Sequence, residues 1–217
     1  MKAIERFRAT MERCNLMLAA SRESSTDKQT GQELQRYVVV LSVAAMERYV
    51  KDAFLEHLTQ TLRDGQCDQD LQQIVMDSGI TSEFWEKCCR ERASRPYRTV
   101  RNVVTRHLST FSVQTEQSIS ALFKGYGLGS ILKHAKAKAG TARIEKSLNK
   151  VISRRHQIAH AGDYGRQGNI TPIDYAYAER RRKDIEAVVL CMEEIIQNKF
   201  SRKRKSRNRR ENKADGK

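Results

Sequence analysis

The chain is poor in proline and in aromatic residues. Its 217 residues include two prolines and one tryptophan, and phenylalanine, tryptophan and tyrosine together make up 6% of the sequence. Long stretches are instead rich in Glu, Lys, Arg, Leu, Gln and Ala, which are good helix formers. This composition predicts an all-helical protein, and the length is sufficient for a substantial core.

Cysteine pairs and long apolar runs are also missing. The five cysteines are odd in number and form no C-x-x-C pair, which is typical of reduced thiols in a cytosol rather than of a disulfide framework. The longest uncharged stretch, Tyr37 to Met46, is far shorter than the roughly 20 residues of a membrane helix. The first residues lack the apolar segment of a signal peptide. We therefore expect a cytoplasmic protein without a membrane partner.

Acidic residues are clearly outnumbered by basic ones. The net charge is +15, which indicates an acidic partner such as nucleic acid. Residues 199–217 hold ten Lys and Arg against two acids, and apolar residues stop after Phe200, so we predict a disordered basic tail over 200–217. This tail either binds phosphate in a salt-sensitive way or serves only as a solubilising extension. Its candidate RNA-binding residues are Lys203, Arg204, Lys205, Arg207, Arg209 and Arg210.

Apolar residues recur at helical spacing along most of the chain. Gly162 is typical of a residue just past a helix end, and Thr171-Pro172 of a helix start. We predict one domain over 1–199, with the second, motif and last helices as its core, 66–135 as inserted short helices, and a glycine-rich connector over 125–130. The predicted helices cover residues 2–20, 27–63, 68–77, 81–93, 98–110, 114–124, 141–160 (the motif helix) and 172–198.

The motif helix ends with two histidines one turn apart, in the stretch SRRHQIAHAGDYG. His156 and His160 share a helix face, as two zinc ligands would. A zinc protease of this pattern needs a glutamate as general base after the first histidine, and Gln157 stands there. No nearby acid has the spacing of a third ligand. We therefore predict no metal and no other cofactor.

Arg155 interrupts an apolar stripe of the motif helix. The stripe consists of Ile144, Leu148, Val151 and Ile158. A guanidinium on an apolar face is costly unless it is paired or functional. In the second helix, Glu47 fills the corresponding gap in a stripe of Val40, Val43, Val50 and Phe54. We therefore expect Glu47 to pair with Arg155, either as a structural ion pair or as part of a site.

Arg155 and His160 together carry the chemistry of metal-free RNA cleavage. A histidine can take a proton from a ribose 2′-hydroxyl or give one to the leaving oxygen. A fixed arginine can hold the scissile phosphate and stabilise its developing charge. The two side chains lie roughly 140° apart on an ideal helix. They can meet because arginine is long and His160 lies near the helix end, or they can meet copies from a second subunit.

These residues resemble the HEPN superfamily of all-helical domains, whose nuclease members carry an R-x4–6-H motif. Arg155 and His160 enclose four residues, with the polar His156 directly after the arginine, and Glu47 resembles the acid on an earlier helix of that family. The resemblance extends over Leu34 to Leu58 and Ile144 to Ile196, and 66–135 do not contribute to it. It is closest to stand-alone HEPN nucleases of the RiboL-PSP kind.

The resemblance implies an HEPN-like bundle, a homodimer and a metal-independent endoribonuclease acting as a toxin or antiphage effector, restrained by an antitoxin or regulatory partner. It implies that Arg155 binds phosphate and that His160 is the general acid and base. It also implies that His156 either binds RNA in the cleft or tunes the site, and that Glu47 orients Arg155. Asp163 and Tyr164 would have a supporting role, and Arg154 would join the tail in binding RNA. The alternative is a non-catalytic helical module that binds nucleic acid or protein, which the net charge favours.

Overall fold

The computed structural model describes residues 1–23, 25–65, 67–90, 96–110, 112–140 and 142–214, with the backbone alone for 87–90, 96, 142–143, 145–146 and 202–214. These residues form helices, without a strand longer than one isolated bridge. The all-α prediction is therefore confirmed. The helices are α1 (Ala3–Ala20), α2 (Lys28–Arg63), α3 (Gln69–Asp77), α4 (Ser82–Arg90), α5 (Pro96–Ser109), α6 (Glu116–Lys124), α7 (Ile131–Lys138), α8 (Ala142–Ala161) and α9 (Tyr175–Ala214).

Helix α2 is the centre of the bundle. Its first turn is capped by Asp27, whose carboxylate accepts hydrogen bonds from the amides of Gln29 and Thr30, so the free donors at the helix start are satisfied. Helices α1, α5, α8 and α9 pack around α2, and apolar residues are therefore buried on several of its faces. The predicted second helix, 27–63, is confirmed.

Helix α1 belongs to the core as well. Its apolar face, Phe7, Met11, Cys14 and Leu18, has the spacing of an amphipathic helix and is buried. The ring of Phe7 meets that of Tyr49 from α2 edge-on, with centroids 5.9 Å apart. Helix α1 thus adds to the core of three helices that periodicity had singled out.

Of the short helices, α5 and α6 pack against α2, α7 packs against α9, and α3 packs against α6. The buried hydroxyl of Tyr126 donates to the carbonyl of Phe54, at 2.7 Å, and so fixes the segment on α2. Gly125 lies so close to Leu71 that an added Cβ would be 2.9 Å from its Cα. Residues 125–130 are a connector, as predicted, whereas α7 was not predicted. It is short and rich in Ala and Lys, and only its packing against α6, α8 and α9 buries Ile131 and Leu132.

Helix α9 differs from its prediction at both ends. It begins at Tyr175, three residues later than expected, because Asp174 caps it through the amide of Tyr177 at 2.7 Å. Thr171 is used elsewhere, as described below. At the other end the backbone is helical through Ala214 rather than ending near residue 198, and the disorder of residues 200–217 stays a prediction. Arg, Lys and Glu, which are frequent in this range, are good helix formers.

None of the described helices is long and apolar enough to span a bilayer.

Candidate active site at the end of helix α8

The sequence ends α8 sharply. Ile144, Leu148 and Val151 are buried and hold the helix in the bundle. Gly162 and Asp163 then both adopt left-handed backbone conformations, with φ of 59° and 63°, which glycine takes readily and aspartate tolerates better than most residues. Gly162 therefore ends the helix, as predicted, and the turn sends Asp163 back into the protein.

Asp163 is the centre of a buried ionic cluster. It is 1% exposed, and its Oδ2 accepts from Arg36 Nε and from Arg154 Nη2, both at 2.7 Å. The same two guanidinium groups donate to the carbonyl of Thr171, each at 3.0 Å. This group, Asp163 with Arg36 and Arg154, is called the Asp163 cluster below. It joins α2 to the end of α8 and to the loop that follows.

The loop 162–172 is closed by further hydrogen bonds. The amide of Thr171 donates to the Asp163 carbonyl at 2.8 Å, and Gln157 Nε2 donates to the Thr171 hydroxyl at 3.1 Å. An isolated antiparallel bridge pairs Tyr164 with Ile170. Since Thr171 serves the loop in this way, it is not the N-cap of α9.

Arg155 and His160 meet on the outer side of the same helix end. Arg155 Nη1 lies 3.4 Å from His160 Nε2, and the ring of His160 is exposed while Arg155 is half-buried. A guanidinium can only donate, so the histidine nitrogen is the acceptor of this long contact. His156 is exposed beside them, its ring centroid 5.2 Å from that of His160. Arg155 Nε is buried and has no hydrogen-bond partner among the described residues.

A family model for RiboL-PSP-HEPN proteins matches residues 11–198. The chain belongs to the RiboL-PSP-HEPN family. The HEPN family includes ribonucleases, so membership indicates a role connected with nucleic acids. The match runs through 66–135, the segment that sequence analysis had left out of the resemblance. Comparison with curated proteins and with solved structures found no match.

The acid predicted for this HEPN site lies elsewhere. Glu47 accepts hydrogen bonds from the amide of Val113 at 3.1 Å and from Gln114 Nε2 at 2.5 Å, and it pairs with Lys51 at 2.9 Å. Burial alone would raise the pKa of Glu47, but these three partners outweigh it and lower the pKa below its usual value. Glu47 faces a cavity between α2 and α5, so the predicted contact with Arg155 is wrong.

Two further arginines of the HEPN domain have roles that sequence analysis did not assign. Arg154 was predicted to bind RNA, but its side chain is 10% exposed and its Nη2 donates to Asp163 and to the Thr171 carbonyl. Its Nη2 group is therefore used within the protein. Arg36 was missed, although it lies three residues before Val39 and seven before Val43, both buried. Its position on an apolar stripe, like that of Arg155, was the signal in the sequence that could have identified Arg36.

Among the described residues, no group of three or more His, Cys, Asp or Glu side chains is arranged to hold a metal ion. The side chains of the predicted RNA-binding residues Lys203, Arg204, Lys205, Arg207, Arg209 and Arg210 lie outside the described part of the chain.

Proposed function

We propose that this protein is a metal-independent endoribonuclease whose reaction is carried by Arg155 and His160. The observation that supports this most is the 3.4 Å approach of Arg155 Nη1 to His160 Nε2 at an exposed helix end. A proton acceptor and a permanent cation thus lie within reach of one phosphodiester. Among the described residues, no carboxylate pairs with the Nη groups of Arg155, whereas Nη2 of Arg154 donates to Asp163.

In the first step, His160 Nε2 accepts the proton of a ribose 2′-hydroxyl, and the 2′-oxygen attacks the adjacent phosphorus. The bond from phosphorus to the 5′-oxygen then breaks, and that oxygen takes up a proton. Arg155 donates to the phosphate oxygens and stabilises the charge that develops on them. The products are a 2′,3′-cyclic phosphate and a 5′-hydroxyl. DNA lacks the nucleophile for this reaction.

The departing 5′-oxygen needs an acid while His160 serves as the base. His156, with its ring centroid 5.2 Å from that of His160, would supply this proton. In a homodimer, His160 of a second copy would be the alternative acid. The homodimer remains part of the proposal, as does a role as a toxin or antiphage effector held in check by an antitoxin or regulatory partner. Both rest on the HEPN resemblance.

The test is cleavage of structured RNA by the purified protein in EDTA. We expect the parent to cleave and His160→Ala to lose activity by roughly 10²- to 10⁴-fold, the usual contribution of a general acid or base. The matched control is His134→Ala, because His134 is an exposed histidine on α7. Binding without cleavage by the parent would instead support the alternative favoured by the +15 charge, a non-catalytic nucleic-acid-binding module.

A further inference from the structure

An aromatic residue is exposed directly after the candidate active site. Tyr164 is 55% exposed and Ile170, across the bridge from it, is 47% exposed. Residues directly opposite in an antiparallel bridge place their side chains on the same face. Together they form one apolar surface, called the Tyr164–Ile170 patch below. In contrast, Tyr49, Tyr97 and Tyr126 are buried.

The backbone of Tyr164 is fixed by hydrogen bonds within the loop. The amide of Tyr164 donates to the carbonyl of Ala161 at 3.2 Å, and its own carbonyl accepts from Gln157 Nε2 at 3.4 Å. The preceding residue, Asp163, is anchored by two arginines at 2.7 Å each. The side chain is therefore presented to solvent from a fixed backbone, so little conformational entropy is lost when a ligand binds there.

The ring also lies over the end of α8. A Cβ added to Gly162 would be 3.2 Å from two ring carbons of Tyr164, so the ring covers the glycine that lies two residues after His160. A ligand phosphate at Arg155 and His160 would therefore bring its neighbouring base close to the ring.

We propose that the Tyr164–Ile170 patch is a nucleobase-stacking platform that selects unpaired RNA at the scissile phosphate. This inference deepens the proposed ribonuclease function and rests on it. An exposed aromatic ring beside a phosphate-binding cation is the arrangement by which proteins bind single strands with little regard to base identity. A base inside a duplex is already stacked on its neighbours, so the platform accepts bases from single strands, loops and bulges.

The test is the affinity for a short single-stranded RNA, measured by fluorescence anisotropy in the full-length His160→Ala protein so that the strand stays intact. We expect Tyr164→Leu to weaken binding about tenfold, because it keeps apolar bulk but loses the ring, and Tyr164→Phe to bind as the parent does. Ile170→Ala, at the edge of the patch, should have a smaller effect in the same direction. The matched control is Tyr37→Leu, since Tyr37 is 51% exposed on α2.

Three results would overturn the platform. The first is parent-like affinity of Tyr164→Leu, and the second is an equal loss in Tyr164→Phe and Tyr164→Leu. The third is an equal loss of affinity by Tyr164→Leu for a strand made of abasic ribose phosphates. A patch that binds protein or the RNA backbone would not distinguish this strand from one that carries bases. Since the strand is never cut, this test is independent of the EDTA assay. Parent-like binding by Tyr164→Leu together with intact His160-dependent cleavage contradicts the platform alone. Weakened binding by Tyr164→Leu without any His160-dependent cleavage contradicts the nuclease alone.

Discussion

Arg154 and Arg155 are neighbours on the same turn of α8, and the protein uses them in opposite ways. Arg154 is directed inward, where its guanidinium meets Asp163 at 2.7 Å and two carbonyls of the following loop. Arg155 is directed toward the helix end, where its Nη1 lies 3.4 Å from Nε2 of the exposed His160. Arg154 is held within the fold through its Nη2, and Arg155 keeps donors for a ligand.

The difference shows what separates a structural charge from a functional one. In the Asp163 cluster, two cations share one carboxylate and one carbonyl, and Arg36 also pairs with the exposed Glu33 at 2.8 Å. Removing Asp163 therefore leaves the charge of Arg154 without a carboxylate among the described residues. Arg155 has no such carboxylate among the described residues, and its charge is half-exposed. Stability should therefore depend on the first arginine, and activity on the second.

Among the changes that test the contrast between the two arginines, the largest effect is expected for Arg155→Ala. Loss of the cation at the phosphate should lower RNA cleavage by about 10²- to 10³-fold, as for other groups that stabilise a developing oxyanion, with little change in the melting temperature. Single-turnover cleavage and thermal unfolding measure the two. Arg180→Ala is the control, because Arg180 is exposed on α9. A comparable loss of activity in Arg180→Ala would show that general charge matters rather than this position.

Asp163→Ala should be the most destabilising change at the site. It leaves Arg154 without its carboxylate and Arg36 with the exposed Glu33 alone. Breaking a buried pair in this way costs about 3–5 kcal/mol. For a chain of this size we expect a melting temperature lower by about 10 °C, measured by calorimetry. An unchanged melting temperature would mean that the cluster is not a structural anchor, and the contrast between the two arginines would then fail.

The half-buried His57 gives a pH test of stability that is separate from His160. Burial, opposed by Glu193, lowers the pKa of His57 to about 4, and its ring stacks on Phe200 with centroids 3.7 Å apart. The unfolded chain takes up this proton near pH 6.5 and the folded chain only near pH 4, so stability falls as pH decreases between these values, by less than about 1.4 kcal/mol per unit. Chemical unfolding measures it.

His57→Gln should flatten this dependence, whereas His160→Ala should leave it as it is in the parent. If the His57→Gln protein lost as much stability at low pH as the parent, this loss would come from other titrating groups.

Glu47→Gln should have the smallest effect. Its carboxylate accepts from Val113 and Gln114 and pairs with Lys51, so the neutral amide should lower stability by about 1–2 kcal/mol at pH 7. Because the folded-state pKa of Glu47 is lowered, the parent loses this advantage as the pH falls below its usual pKa and through the folded value. Denaturant titrations at pH 7 and pH 3 compare the two proteins. A loss of cleavage as large as that of Arg155→Ala would return Glu47 to the active site.

Periodicity was sufficient to predict the long helices, the helix end at Gly162 and the anomaly at Arg155, because these depend on residues close together in sequence. It could not predict the partner of each charge. Arg36 and Asp163 are separated by 127 positions, and a helical stripe gives a face without naming the neighbour that covers it. For that reason Glu47 was predicted to pair with Arg155 of α8, whereas it accepts a hydrogen bond from Gln114.

The central claim is that Arg155 and His160 cut RNA by attack of the 2′-hydroxyl without a metal. The most direct measurement is the chemistry of the product ends in EDTA, using an RNA with a single 2′-deoxy nucleotide at a mapped cleavage position. We predict 2′,3′-cyclic phosphate and 5′-hydroxyl ends at the unmodified cleavage positions and no cut at the 2′-deoxy position. Cleavage at the deoxy position, or 5′-phosphate ends, would contradict it.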